Sequence, residues 1–341
     1  MISNPKVSIV IPSFNGGRML RMMLDSICRQ TYQDWELLVV DDGSTDSSDH
    51  TVEEFSEKDS RVKLLRRTES PKGGQKCRNM GYANAKGEYV CFFDADDLIA
   101  PVCLEQRVRF MDGNPDIDFG IFPAQSFFSD TEEITITPKS RMYGIDRGKD
   151  VLSSFLRSDY QYAVWTNMYR REAIKDIHWD ERVLVRQDLD FNITCLFKHL
   201  KYRFCEGGAI DYYYRHIPNN TNSVCASFVS AGKAQSQIYL FDKILNGLER
   251  GGYPKHYKKD LKQYVFYQFE RLLFESDGSC MNDYLDFCKV NYGQFFTLRL
   301  KNVNKIVSHI SGEQKKKGVG YILLFLSFWN KRYLNSIKRN L

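Results

Sequence analysis

Apolar residues fall into two alternating rhythms over the first hundred positions. The runs "VSIVI" (7–11), "ELLVV" (36–40), "RVKLL" (61–65) and "EYVCFF" (88–93) have strand length, whereas Leu20, Met23, Leu24 and Ile27 recur at helical spacing. Between the second and third runs, "STDSSDHTVEEF" offers Ser and Asp caps for a helix ending near Glu57, and a further helix is predicted from about Gly74 to Ala85. Strand and helix in strict alternation predict an α/β fold with a mainly parallel central sheet flanked by helices.

Beyond Pro101 the pattern predicts a helix to about Met111 and a strand in "DIDFGIF". A hairpin or added strand is expected in "SFFSDTEEITIT", and a strand leading into a helix in "YQYAVWTNMYRREAI". A helix from Asp188 to about Leu200 and a strand in "AIDYYYRH" follow. After about Ser227 strand signals fade and helical periodicity continues to the end, so a boundary is expected there, dividing the chain into 1–227 and 228–341.

Composition narrows the class. With 341 residues, 43% hydrophobic and 14% aromatic, the chain has enough apolar surface for a sizeable core and is not disordered. Its nine cysteines (28, 77, 91, 103, 195, 205, 225, 280 and 288) are scattered, odd in number and without a C-x-x-C pair, which argues for free thiols in a reducing cytoplasm and against zinc. "MISNPKVSIVIP" lacks a basic leader and reads as a first strand rather than a secretory signal. The net charge of +5 is uneven: residues 301–341 carry nine Lys/Arg against one Glu, +8, leaving −3 for the rest.

In parallel α/β sheets ligands bind beyond the carboxyl ends of the strands. Three of those ends are polar here, "PSFNGG", "DDGST" and "DADD", and they are expected to converge on one crevice. In "CFFDADDLIAP", Asp94, Asp96 and Asp97 crowd like charge into four positions, which calls for a compensating cation or donors. Asp94 and Asp96 point the same way if the strand continues, and together suit a hard divalent cation, Mg²⁺ or Mn²⁺. Asp97 is suited to capping the next helix.

The run "VSIVIPSFNGGRMLRMMLDSICRQTYQDWELLVVDDGSTDSS", followed by "KCRNMGYANAKGEYVCFFDADD", resembles glycosyltransferase family two, the large inverting family with the GT-A fold. The likeness is dense over 6–101, with the elements IP-x-[YF]-N, Q-T-[YF], DDGS, RN-x-G, GEY and D-x-D in order, and looser to about residue 224. It implies a GT-A catalytic domain over 1–227, with a nucleotide-binding half at 6–101 and an acceptor half at 102–227. It further implies that Pro12 and Phe14 line a base pocket, that Asp42 accepts from the ring N–H of uracil, that Asp94 lies near ribose and metal, and that Asp96 is the metal ligand. Arg78 and Asn79 either contact the donor or brace their helix. The family's E-D pair corresponds to Gln187-Asp188, so Asp188 is expected to be the general base, with Asp190 as fallback, and the usual preceding acid is replaced by an amide. "VWTNMYRREAI" implies an acceptor platform or a core residue at Trp165, and "YYYRHIPNNTNSV" a diphosphate or metal contact from Arg215 or His216.

The function this resemblance implies is transfer of a sugar from a nucleotide-sugar donor, UDP-linked, to a saccharide or lipid-linked acceptor in surface polysaccharide or cell-envelope assembly. Nucleotidyl transfer and a catalytically silent sugar-nucleotide-binding protein are the alternatives. In the tail, "KKKGVGYILLFLSFWNKR" sets about a dozen mostly apolar residues between basic flanks, short of the ~20 needed to span a bilayer. It is expected either to lie on the inner face of the cytoplasmic membrane or to dock on the protein. Nucleic-acid binding is not expected, because the basic residues flank the apolar run instead of interleaving with it.

Overall fold

A computed structural model describes residues 4–216, 231–275, 281–294, 297, 298, 300 and 301. The elements in order are β1 (Val7–Ser13), α1 (Gly17–Cys28), β2 (Trp35–Asp41), α2 (Ser48–Lys58), β3 (Val62–Arg66), α3 (Gly74–Asn84), β4 (Tyr89–Phe92), β5 (Leu98–Ile99) and α4 (Cys103–Asp112). They continue with β6 (Phe119–Ile121), β7 (Ala124–Phe128), β8 (Met142–Tyr143), α5 (Val151–Leu156), β9 (Asn167–Arg170), α6 (Gln187–Phe197), β10 (Tyr202–Phe204), β11 (Tyr212–His216), α7 (Ala231–Arg250), α8 (Lys255–Glu275) and α9 (Met281–Tyr292).

The strands form a seven-stranded sheet of order β10-β6-β9-β4-β1-β2-β3 and a four-stranded sheet of order β5-β11-β7-β8. In the larger sheet every pair is parallel except those of β9, which runs antiparallel to both β4 and β6. β1 lies inside the sheet between β4 and β2, and Val7, Ile9, Val10 and Ile11 are wholly buried because helices cover both faces. Val7, Ile9 and Ile11 pack with Leu20, Met23, Leu24 and Ile27, the apolar stripe of α1. On the opposite face α3 sits so close that a Cβ added at Gly81 would lie 2.3 Å from Val10 Cγ1.

β4, β1 and β2 are neighbours, so the loops after them emerge side by side, as expected of the three polar strand ends. After β4 the chain turns through Asp94–Asp97 and enters the second sheet as β5, which pairs with β11. The acidic turn is therefore one of the crossings between the two sheets. Beneath it Arg107 of α4 and Asp211 form a fully buried ion pair (2.7 Å), with the guanidinium also donating to the carbonyls of Trp165 and Asn167 and lying against Phe93 and Phe122. Cys28, 77, 91, 103, 195, 205 and 288 are free thiols.

Two compact units partition the chain: Met1–Ser227 with Tyr239–Leu261, and Phe228–Ile238 with Lys262–Leu341. The first thus reaches past the expected boundary at 227 by taking in 239–261. Within the second, the Tyr284 hydroxyl donates to the Val265 carbonyl at 2.6 Å, fastening α9 to α8. The basic, apolar stretch of the tail lies outside the described residues. Among the described residues no helix is long and apolar enough to cross a membrane.

Gly81→Ala should expose the tight seat of α3. Alanine is favoured over glycine in a helix by about 1 kcal/mol, but overpacking against a buried valine costs about 1–3 kcal/mol. A net loss of stability in urea unfolding is expected, and a stabilised protein would contradict the packing.

Candidate active site

The loops after β1 and β2 clasp each other. The Asn15 N–H donates to Ser44 Oγ at 2.9 Å, and Asn15 Oδ1 accepts from the Thr45 N–H at 2.8 Å. Asp41, not Asp42, closes the turn, its Oδ2 accepting from the N–H groups of Gly43 and Ser44. The neighbouring Asp42 is thereby left to point elsewhere. Its buried carboxylate pairs with Arg67 through Oδ1 and accepts from the Gly73 N–H through Oδ2 at 2.6 Å. Pro12 is partly exposed, and Phe14 is 50% exposed, so it is no core residue. The Lys72 ammonium stands 3.8 Å from the centre of the Phe14 ring and donates to the Gly43 carbonyl.

At the acidic turn the three carboxylates part company. Asp94 Oδ1 accepts from Arg78 Nη2 at 2.6 Å. Asp96 opens to solvent yet is set deep among protein atoms, and this crowding, with Asp94 beside it, pushes its carboxyl up to about 6. Asp97 is wholly buried and does not cap a helix: α4 starts five residues after β5 begins, and the Asp97 carboxylate accepts instead from the Tyr212 hydroxyl (2.6 Å) and the Arg215 N–H (2.7 Å). Burial, then Asp96 and Asp94, raise its pKa well above the ordinary range. Tyr212 also accepts from the Asp94 N–H at 3.2 Å, so one hydroxyl bridges both ends of the turn.

Three expectations change here. Arg215 gives Nε to the Asp96 carbonyl (2.5 Å) and Nη1 to those of Ser129 and Thr131, which makes it a clamp on the turn, while its buried Nη2 has no partner among the described residues. His216 stacks on Phe128 across the β11–β7 pair, and burial, then Arg141, lowers its pKa. Trp165 is only 5% exposed, its face covered by Tyr212 and Tyr214 at 4.8 and 5.2 Å. It is a core residue, not an open acceptor platform.

α6 opens directly opposite. Asn79 takes the Trp179 backbone in a two-way grip, donating to its carbonyl and accepting from its N–H at 2.9 Å each. The Trp179 ring stacks on Phe191 of α6 and supports the Arg78 guanidinium at 4.6 Å. Arg78 then reaches the Gln187 side chain, Nη1 to Oε1 at 3.1 Å, while its other arm holds Asp94. Asp188, next in sequence, is partly buried and, among the described residues, has no hydrogen-bond partner for its carboxylate. Burial pushes it up to about 6, with Arg78 opposing and Asp94 adding to the shift. Asp190 faces the other way and pairs with Lys243 at 2.7 Å, which removes it as an alternative base. Lys72, Gln75 and Trp179 had no motif to announce them, beyond the glycine pair in "PKGGQK" that hints at a close approach, and Tyr212 opens "YYYRH", where only Arg215 and His216 were singled out.

The donor set at the acidic turn is oxygen only, with Asp96 solvent-accessible and Asp94 adjacent, which fits a hard divalent cation. Among the described residues no group of three or more His, Cys, Asp or Glu surrounds such an ion, so phosphate and water oxygens would have to complete its shell.

Lys243 also pairs with Asp180, but Asp180 keeps Arg182 at 3.0 Å, so Lys243→Met leaves Asp190 as the carboxylate without its cation. The loss should be about 2 kcal/mol at pH 7.5, below the ~3–5 of a fully buried pair because Lys243 is partly exposed. Burial raises the Asp190 pKa already, so without Lys243 the folded state takes up a proton more readily than the unfolded chain. The loss should therefore shrink toward pH 5; a loss that grows on acidification would contradict the pairing.

Comparison with known proteins places this geometry in context. The family model described as "Glycosyl transferase family 2" matches residues 8–177, stopping short of Asp188. An uncharacterized glycosyltransferase of Haemophilus influenzae is 30% identical over 238 residues, spanning 70% of this chain and 87% of that one. The uncharacterized glycosyltransferase YibD of Escherichia coli is 32% identical over 218 residues, 62% of each chain. WfgD of Escherichia coli, a UDP-Glc:alpha-D-GlcNAc-diphosphoundecaprenol beta-1,3-glucosyltransferase, is 41% identical over 105 residues, 31% of this chain and 40% of that one. Among solved structures, TarS 1-349 of S. aureus in complex with UDP-GlcNAc aligns at TM-score 0.60 and 18% identity over 84% of this chain and 80% of that one. The mannosyltransferase PcManGT of Pyrobaculum calidifontis, in complex with GDP-Man and Mn2+, aligns at TM-score 0.53 and 16% identity over 97% and 89%. These two show the fold alone, and the fold is GT-A. The family match and the extent of the Haemophilus relative together make this chain a member of glycosyltransferase family 2 and a glycosyltransferase enzyme.

Proposed function

We propose that the enzyme transfers a sugar with inversion from a UDP-sugar to a saccharide or lipid-linked saccharide acceptor, with Asp188 as general base. The observation that carries this is the Arg78 fork. One arm holds Asp94 on the donor turn and the other holds Gln187, so the residue next to Gln187 faces the donor cluster with an unengaged carboxylate. A hydroxyl nucleophile at neutral pH needs a base within hydrogen-bond reach. In one displacement, Asp188 takes the proton of the acceptor hydroxyl as its oxygen bonds to the anomeric carbon, and the bond from that carbon to the diphosphate oxygen breaks. The electron pair leaves with the nucleoside diphosphate, and attack from the opposite face inverts the configuration.

Phe14 offers an exposed ring face for a base, with Asp42 in the adjoining loop. Asp96 and Asp94 would hold the divalent cation, Mg²⁺ or Mn²⁺, which when bound offsets the charge developing on the leaving diphosphate. The likeness to WfgD, which moves glucose from UDP-Glc to a GlcNAc-diphosphoundecaprenol, favours a UDP-sugar donor, a lipid-linked acceptor and a place in envelope polysaccharide assembly.

Nucleotide release, measured across UDP- and GDP-sugars with and without Mn²⁺, tests the reading. Asp188→Asn should lower transfer about 10²–10⁴-fold while UDP affinity and melting temperature hold; undiminished transfer would overturn the assignment. The base must be ionised to work, and its carboxyl is pushed up to about 6 by burial and Asp94 against Arg78. Transfer should therefore rise with pH through about 6 and level off above 7. A profile flat from pH 5 to 8 would contradict it.

A further inference from the structure

The buried side chain of Gln75 is polar, lies inside α3 and has no place in the chemistry above. Its Nε2 donates to the Glu181 carbonyl at 3.2 Å, and its Oε1 accepts from Gln187 Nε2 at 2.7 Å. Gln187 Nε2 also lies 3.4 Å from the Leu184 carbonyl, and its Oε1 accepts from Arg78. The chain of bonds thus runs from Arg78 through Gln187 and Gln75 to the Glu181 backbone. Its polarity is dictated at both ends, since a guanidinium only donates and a carbonyl only accepts. Neither amide can turn over without setting oxygen against oxygen or N–H against N–H.

We infer that Gln75 and Gln187 form an amide relay that positions Arg78, so that the 181–187 segment and the donor turn are held in one register. The inference rests on the reading of Asp188 as base and deepens it. A glutamate at 187 could accept from Arg78 but would turn a second oxygen on Gln75 Oε1 and the Leu184 carbonyl. An amide is thus what this surrounding demands where the family pattern has an acid. Room for the relay comes from Gly73, where an added Cβ would lie 2.7 Å from Gln75 Oε1. The same glycine donates its N–H to Asp42, so the relay begins beside the expected base pocket.

The two glutamines are positioning residues that act through one group, and their effects should not multiply. Turnover and melting temperature are measured for Gln187→Leu, Gln75→Leu and the double variant with a UDP-sugar and acceptor. Each single change should lower kcat about 10-fold, and the double should stay near 10-fold. A double near 100-fold, or either single indistinguishable from wild type, would overturn the relay. Should Gln75→Leu fail to fold, Gln187→Glu decides: it should be slower than Gln187→Leu, and equal or faster turnover would overturn the relay. Asp188→Asn runs in parallel. If it keeps full transfer, the base assignment fails; if it collapses while the glutamines act independently, the relay alone fails.

Discussion

Asp94 raises the cost of ionising Asp96, Asp97 and Asp188 alike, and this repulsion among carboxylates is the constraint the rest of the site answers. Two guanidinium groups answer it from different sides. Arg78, on α3, pairs with Asp94 and attracts Asp188. Arg215, on β11 of the second sheet, works through backbone: its N–H goes to Asp97 and its Nε to the Asp96 carbonyl. One arginine balances side chains and the other holds the turn in shape. Asp96 is left exposed and, among the described residues, takes no side-chain partner.

The scaffold makes this arrangement reproducible. The acidic turn joins the two sheets, so any shear between them would move the carboxylates. The Arg107–Asp211 pair lies just beneath, fully buried, and fastens the residue before Tyr212 to α4. Such pairs add little net stability compared with apolar packing, yet their geometry is exacting. Here that geometry sets where Tyr212 stands, and Tyr212 in turn bridges Asp94 and Asp97. On the other flank, Asn79 and Trp179 set the floor on which Arg78 lies.

Much of this was legible in the chain, and the exceptions share a cause. The four early strands, the α1 stripe and the convergence of three polar loops follow from periodicity, because each is a local pattern with a strong period. Asp188 and the D-x-D residues were singled out by motif, and the structure brings Asp94, Arg78 and Asp188 together. Trp165, Asp97, Arg215 and Asp190 were misjudged or left open because their roles are set by partners far away in sequence: Tyr212 for two of them, the Ser129 and Thr131 carbonyls for the third, and Lys243 for the last. The antiparallel β9 was hidden for the same reason, since pairing direction is a tertiary property. Of the Gln75–Gln187 pair only the amide at 187, standing where the family pattern has an acid, showed in the sequence; Gln75 left no trace, as a glutamine inside a helix reads as an ordinary surface position until its burial is known.

The account stands or falls on Arg78 acting as a fork and not merely as a positive charge. Lysine keeps the charge but is a single point on a flexible stem, unable to hold Asp94 and Gln187 at once. The most direct measurement is therefore the transfer rate of Arg78→Lys, alongside its melting temperature. A fall of at least about 100-fold in a protein that melts within a few degrees of wild type is the predicted result. Transfer within about threefold of wild type would show that the two halves of the site do not depend on this bridge.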